Sequence, residues 1–162
     1  MINQGKVFEN SFSKSIPKEY FCYRLRDAGG WSDATNLRFT SSNMCDFIMY
    51  AKGRIYLLEL KSVKEKSLSY SNIGKIENGK IKKTSVLDEE GKKEGVVSGY
   101  LINYRGANKT YFVSADKLAD RMLNNTKKSL NLKECEEIGV FVEQTLKRVN
   151  YVYNVEKFIE EV

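Results

Sequence analysis

The sequence contains no histidine. That removes imidazole as a general base, and with it Ser-His-Asp and Cys-His machinery. The three cysteines, Cys22, Cys45 and Cys135, are far apart and form no CxxC pair, so a zinc centre built on Cys or His lacks a ligand set. Proline occurs once, at Pro17. No apolar run approaches the roughly 18 residues of a membrane span. The opening MINQGKVFEN lacks the hydrophobic stretch of a signal peptide. The expectation is a cytoplasmic chain with no membrane partner. Its chemistry must rest on carboxylates, lysine, tyrosine, or a metal held by oxygen ligands.

What is present fits one domain spanning residues 1–162, with 41% apolar and 30% charged residues. Lysine and arginine exceed aspartate and glutamate by six, which suggests an anionic partner, nucleic acid being the commonest. Phe8, Phe12 and Ile16 recur every four residues and predict a helix over 5–16, with Asn3 as its cap. Strands are expected over 20–26, 45–50, 54–61, 96–105 and 110–114, with a short or irregular edge strand over 37–43. Residues 27–36, with two adjacent glycines, read as a loop, and 62–84 as a lysine-rich loop with short pieces of structure. Further helices are expected over 84–94, from a cap at Ser114 or Asp116 to about Asn124 with Leu118, Met122 and Leu123 inward, over 133–138, and at the end of the chain to Glu161. Residues 139–147 and 148–153 resemble a hairpin. The fold class is therefore mixed α/β (α+β), a largely antiparallel or mixed sheet flanked by helices.

The chemistry concentrates on the hairpin CDFIMYAKGRIYLLELK. Pairing its strands through a two-residue turn at Lys52-Gly53 sets Ala51 opposite Arg54, Tyr50 opposite Ile55, Ile48 opposite Leu57 and Asp46 opposite Glu59. Facing carboxylates repel, and a divalent cation between them converts repulsion into coordination. Lys61, two residues after Glu59, projects from the same face and can orient a water or offset charge on a phosphate. Glu59 also sits within an otherwise apolar run, where an uncompensated carboxylate is costly. Two readings stay open: this metal site, or a structural Glu59–Lys61 or Glu59–Arg pair with Asp46 exposed. A three-residue loop would flip the parity and take Asp46 off the face.

This segment resembles the core of the PD-(D/E)XK nuclease superfamily, with Asp46 as its aspartate and Glu59-Leu60-Lys61 as its (D/E)-x-K. The preceding Gly5-Lys6-Val7-Phe8-Glu9 is similar to the start of the first helix in Holliday junction resolvases. SGYLINYR and KTYFVSADKL resemble the later strands and helix of the RecU-like resolvases of Gram-positive bacteria and their phages. The likeness covers roughly residues 5–125. Cys45 stands where proline is usual, the long stalk insertion of bacterial relatives is absent or much reduced, and Ser85 or Val86 falls where a helix glutamine is common.

The resemblance implies a restriction-endonuclease-like fold and a metal-dependent endonuclease cutting branched DNA, four-way junctions foremost, by phosphodiester hydrolysis. Its catalytic residues would be Asp46, Glu59, Lys61 and Glu9. Asp46 and Glu59, with Glu9 as a direct or water-mediated helper, would hold Mg²⁺ (or Mn²⁺). Symmetric cutting of two strands implies a homodimer. The alternatives are a nicking or restriction-like nuclease on the same fold, and a catalytically silent nucleic-acid-binding or inhibitory protein. Lysines 75, 80, 82, 83, 92 and 93 read either as a solvated loop or as a track for phosphates. Tyr70, Trp31 and Tyr104 read as packing residues or as platforms for bases.

Overall fold

The computed structural model describes residues 2–25 and 43–162. Helix α1 (Gln4–Ser15) starts where expected, the Asn3 side chain accepting the Lys6 N–H at 3.2 Å. Strand β1 (Phe21–Arg24) precedes β2 (Phe47–Ala51) and β3 (Arg54–Val63). After β3 come short pieces: β4 (Ser67–Ser69), a 3-10 turn, β5 (Ile76–Glu77) and β6 (Lys80–Ile81), then α2 (Lys82–Gly91). The chain continues through β7 (Val96–Tyr104), β8 (Lys109–Ser114), α3 (Ala115–Asn124), β9 (Ser129–Asn131) and α4 (Leu132–Ile138). It closes with β10 (Val140–Val142), β11 (Gln144–Lys147), β12 (Asn150–Tyr153) and α5 (Val155–Glu161).

Six strands form the main sheet in the order β1-β2-β3-β7-β8-β10. Its pairs are antiparallel except β3–β7, which is parallel. The mixed sheet flanked by helices is thus the expected architecture. The β2–β3 turn has two residues, Lys52 (φ 47°) and Gly53 (φ 79°). Positive φ at both positions matches the twist of a hairpin, and glycine adopts it without a Cβ clash. The register follows: Ala51 faces Arg54, Tyr50 faces Ile55, and Ile48 faces Leu57.

Alternation along the strands sorts side chains onto two faces. On one, Phe47, Met49, Tyr56, Leu58, Leu101 and Phe112 pack under Phe8 and Phe12 of α1 and Phe158 and Ile159 of α5. On the other, Leu57, Tyr100, Ile102, Tyr104 and Val113 pack with Leu87 of α2 and Leu118 and Met122 of α3. Strand β3 is buried continuously from Tyr56 to Leu60, as a central strand covered on both faces should be.

Several expectations are corrected. Residues 140–142 join the main sheet beside β8 instead of the terminal hairpin, which consists of β11 and β12 alone. Strand β9, in a segment for which no element was expected, pairs with β4. Ser114 does take the N-cap position of α3, but its side chain makes no capping hydrogen bond, and Asp116 falls in the first turn. Leu123 is exposed, whereas Leu118 and Met122 are buried. The loop expected at 27–36, Trp31 within it, and all but the last residue of the strand expected at 37–43 lie outside the described residues.

Candidate active site

The hairpin ladder ends at Phe47 opposite Leu58. One residue earlier, Asp46 departs from it. The Asp46 backbone N–H donates to the Leu58 carbonyl at 3.0 Å, and the Asp46 carboxylate accepts the Leu60 N–H at 2.7 Å. A side-chain oxygen thus takes a donor that an undisturbed ladder would give to a backbone carbonyl. Glu59, between those two residues, is 1% exposed. Its Oε1 accepts from Lys61 Nζ at 2.8 Å, and the Lys61 side chain still reaches solvent. The ion pair of the structural reading is therefore present. Asp46, however, is half-buried and not an exposed bystander.

Electrostatics tie the group together. Burial pushes the Asp46 carboxyl up to about 6, and the negative charge of Glu59 adds to the rise. The Leu60 N–H opposes it, Glu9 raises it further, and Lys61 lowers it. One lysine does not compensate the carboxylates around it. Glu9, on α1, is held by Arg24 of β1 through an ion pair, and Asn10 accepts from the same guanidinium at 3.1 Å. Among the described residues no three Asp, Glu or Cys side chains converge into a metal-holding cluster. Asp46 feels Glu59 more strongly than it feels Glu9.

Two neighbours were not foreseen. Tyr100 lies beside Glu59 in the parallel β3–β7 register, and its hydroxyl meets Thr84 Oγ1 of α2 at 2.8 Å. Burial raises the Tyr100 pKa, and the charges of Glu59 and Asp46 raise it further. Arg24, the counter-ion of Glu9, is the second. Nothing local in the sequence marks either one, because both depend on pairing between distant segments. Thr84 occupies the inward side of α2, while Ser85 and Val86 are not buried.

The other candidates separate. Tyr70 and Tyr104 are buried in the core, and Tyr104 donates to the Leu130 carbonyl at 2.9 Å, so neither ring offers a stacking platform. Lys75, Lys80 and Lys82 are exposed. Lys92 and Lys93 are exposed too, but pair along the chain with Asp88 and Glu90. The side chain of Lys83 lies outside the described ones.

An all-oxygen donor pair short of positive charge, with Glu59 buried and Asp46 half-buried, fits a hard divalent cation and suits neither zinc thiolate nor haem chemistry. Fold and site together define an α+β protein with an acidic centre on its sheet. The chain belongs to the recombination protein U family, RecU, whose profile matches residues 8–157. It is 33% identical over 174 residues to YotM, an SPbeta prophage-derived protein of Bacillus subtilis (strain 168), across 99% of this chain and 87% of that one. It is also similar to the structure of Archaeoglobus fulgidus Hjc, a Holliday junction resolvase from an archaeal hyperthermophile. That likeness has 14% identity and a TM-score of 0.47, covering 84% of this chain and 87% of the other.

Proposed function

We propose that this protein is a divalent-cation-dependent endonuclease that resolves branched DNA, with four-way junctions its preferred substrate. Membership of the recombination protein U family supports the substrate class. The observation that carries the chemistry is the buried Glu59 beside Asp46, whose carboxyl is pushed up to about 6, with Lys61 on the same strand. A fold maintains such a pair against its own repulsion when a cation is to occupy it.

Asp46 and Glu59 would hold the cation, Mg²⁺ or Mn²⁺, and Glu9, fastened by Arg24, would contribute through a water molecule. When bound, the cation supplies positive charge that polarises the phosphodiester and eases ionisation of water. The Leu60 N–H keeps the Asp46 carboxylate oriented. Lys61 shares one of its three protons with Glu59, and the other two remain to fix a water or a phosphate oxygen at the solvent side. Tyr100, whose hydroxyl is hydrogen-bonded to Thr84 of α2, lies beside Glu59 on the neighbouring strand. The chain's excess of six positive charges favours a polyanion.

The test is incubation of the protein with end-labelled four-way junction and with linear duplex of the same sequence, in Mg²⁺, in Mn²⁺ and in chelator. Cation-dependent, paired cuts in the junction are expected, with the duplex left intact. Equal cutting of the duplex would replace this reading with a nicking or restriction-like nuclease. Binding without cutting in either cation would make it a silent member of the fold.

A further inference from the structure

The β11–β12 hairpin stands apart from the main sheet as a two-stranded ribbon. Its base is fastened at three points. The Asn154 N–H donates to the Glu143 carbonyl at 2.9 Å, the Tyr153 N–H to Ser15 Oγ of α1 at 3.0 Å, and the Tyr151 hydroxyl to Asn108 Oδ1 at 2.5 Å. The Tyr153 ring also packs against Phe8 and Phe12. The tip is the opposite. Lys147 pairs with Asn150, so the turn is Arg148-Val149, and Lys147, Arg148 and Val149 are all exposed. Val149 is 83% exposed, the most of any large apolar side chain among the described residues, and Leu146 behind it is 57% exposed. Arg148 has φ 57°, in the left-handed region that glycine or asparagine occupies at less cost. Neither Arg148 nor Lys147 has a carboxylate partner among the described residues. The fold gains nothing from a charge held on an unfavourable backbone beside an apolar side chain in water, and such an outlier points to function.

The hairpin's position bears on the acidic centre. Strand β7 runs parallel to β3, with Ile102 beside Lys61 and Tyr104 beside Val63. The loop that holds Asn108 leaves the sheet at Tyr104, roughly 7 Å past the Lys61 row. The hairpin is therefore anchored at the sheet end toward which Glu59 and Lys61 lead, and against α1, the helix that carries Glu9.

We propose that the tip of this hairpin enters the minor groove of a duplex DNA arm, with Arg148 and Val149 leading. That groove concentrates negative potential that attracts arginine, and an apolar side chain beside the cation lodges against the base edges. The major groove would take the whole ribbon laid in on one face. Here that face is occupied, because Tyr153 of β12 is buried against α1. Only the turn is free to reach in, and it suits a groove about 6 Å wide. Lys147, and Lys14 exposed on the last turn of α1, remain for the flanking phosphates. The substrate rests on the function proposed above; the contact lies outside the acidic centre and can be read without cleavage.

The experiment measures binding of the full chain to a fluorescent four-way junction with A·T-rich arms, in chelator, across a salt series. The complex is then probed with dimethyl sulfate, which methylates adenine N3 in the minor groove and guanine N7 in the major groove. The wild type should protect adenine N3 on an arm. Arg148→Gly should lose that protection, bind at least about fivefold more weakly, and reduce the salt slope by about one. Its melting temperature should hold or rise, because glycine relieves the backbone. Val149→Ser should weaken binding without changing the slope. Lys52→Gly is the control: it removes one positive charge from another left-handed position, φ 47°, in the turn before β3, and should bind like the wild type. Wild-type affinity and protection in Arg148→Gly, or protection of guanine N7 alone in the wild type, would overturn the proposal. Equal losses in Lys52→Gly would overturn it too, by reducing the effect to net charge. Protection lost with Arg148 in a chain that cuts no junction would uphold the hairpin contact and defeat the nuclease. Unprotected arms in a chain that cuts junctions would do the reverse.

Discussion

The two faces of the main sheet over β2 and β3 are built from alternate residues of the same strands, yet they follow opposite rules. Beneath α1 and α5, Phe47, Met49, Tyr56, Leu58 and Leu60 pack in one apolar cluster, with the Arg54 guanidinium over the Tyr56 ring its charged neighbour. Across the sheet, the residues between them are Leu57, Glu59 and Lys61, with Tyr50 and Ile55 open to solvent. The first face lowers the free energy of the fold. The second spends part of it on a buried carboxylate beside a half-buried one. Departures from the apolar pattern that bring no stability are where function is expected.

The contrast predicts unequal consequences for substitutions at equal depth. Phe12→Ala, on the apolar side, should cost about 3–5 kcal/mol in denaturant unfolding, because the ring is fully buried and leaves a cavity against Phe47 and Tyr153. A loss under about 1 kcal/mol would mean that the face is not the close-packed core described. Glu59→Gln should leave the melting temperature within a few degrees but lower junction cleavage by at least roughly 100-fold. That exceeds the 10–100-fold lost with an outer-sphere partner of a metal site. Wild-type cleavage by this variant would end the metal-nuclease reading. An unfolded variant of a protein that never cleaves would favour the structural ion pair. Lys61→Ala should impair cleavage comparably while cation binding, followed by calorimetry, is largely kept.

A smaller effect has an informative sign. The Asp46 carboxyl is raised to about 6 in the fold, above its unfolded value. Between roughly pH 4 and 6 the native state therefore binds more protons than the unfolded one, so stability without divalent cation falls as pH rises through that window. Asp46→Asn should remove this fall and gain on the order of 1–2 kcal/mol at pH 7 in chelator, while abolishing cleavage. A melting temperature lowered at pH 7 would show that the Asp46 carboxylate stabilises the fold. The weakest expected response concerns the solvent side. DNA affinity in chelator should fall at least about tenfold between 50 and 200 mM salt, through the exposed lysines rather than the acidic centre. A flat profile would detach Lys75, Lys80 and Lys82 from DNA binding.

The hairpin was legible because its determinants are local. Lys52-Gly53 specifies a two-residue turn, the turn fixes parity, and parity assigns Leu57, Glu59 and Lys61 to one face. Helix α1 was equally open to reading, since Asn3 and the Phe8–Phe12 spacing lie within a few turns of each other. Tyr70 and Tyr104 were harder. A tyrosine in a polar or alternating segment carries no mark of whether its ring faces the core, and both face it here. Leu123 fell to the wrong side of α3 for a related reason: at a helix end the apolar stripe gives no neighbour against which to judge it.

The sequence by itself determined the residue types of the acidic centre, the spacing of Glu59 and Lys61 on one strand, and the exclusion of histidine chemistry and of a zinc centre built on cysteine. Tertiary structure alone decided that β7 lies parallel beside β3 and sets Tyr100 next to Glu59, that Arg24 holds Glu9, and that β10 completes the sheet. It also decided that Asp46 leaves the ladder to take the Leu60 N–H. The physical reason is one of range. Turn conformation and side-chain period act over a few residues and are written in adjacent letters. Pairing across some forty residues is selected by the burial it achieves against the entropy of closing the intervening chain, and that balance leaves no periodic trace in the sequence.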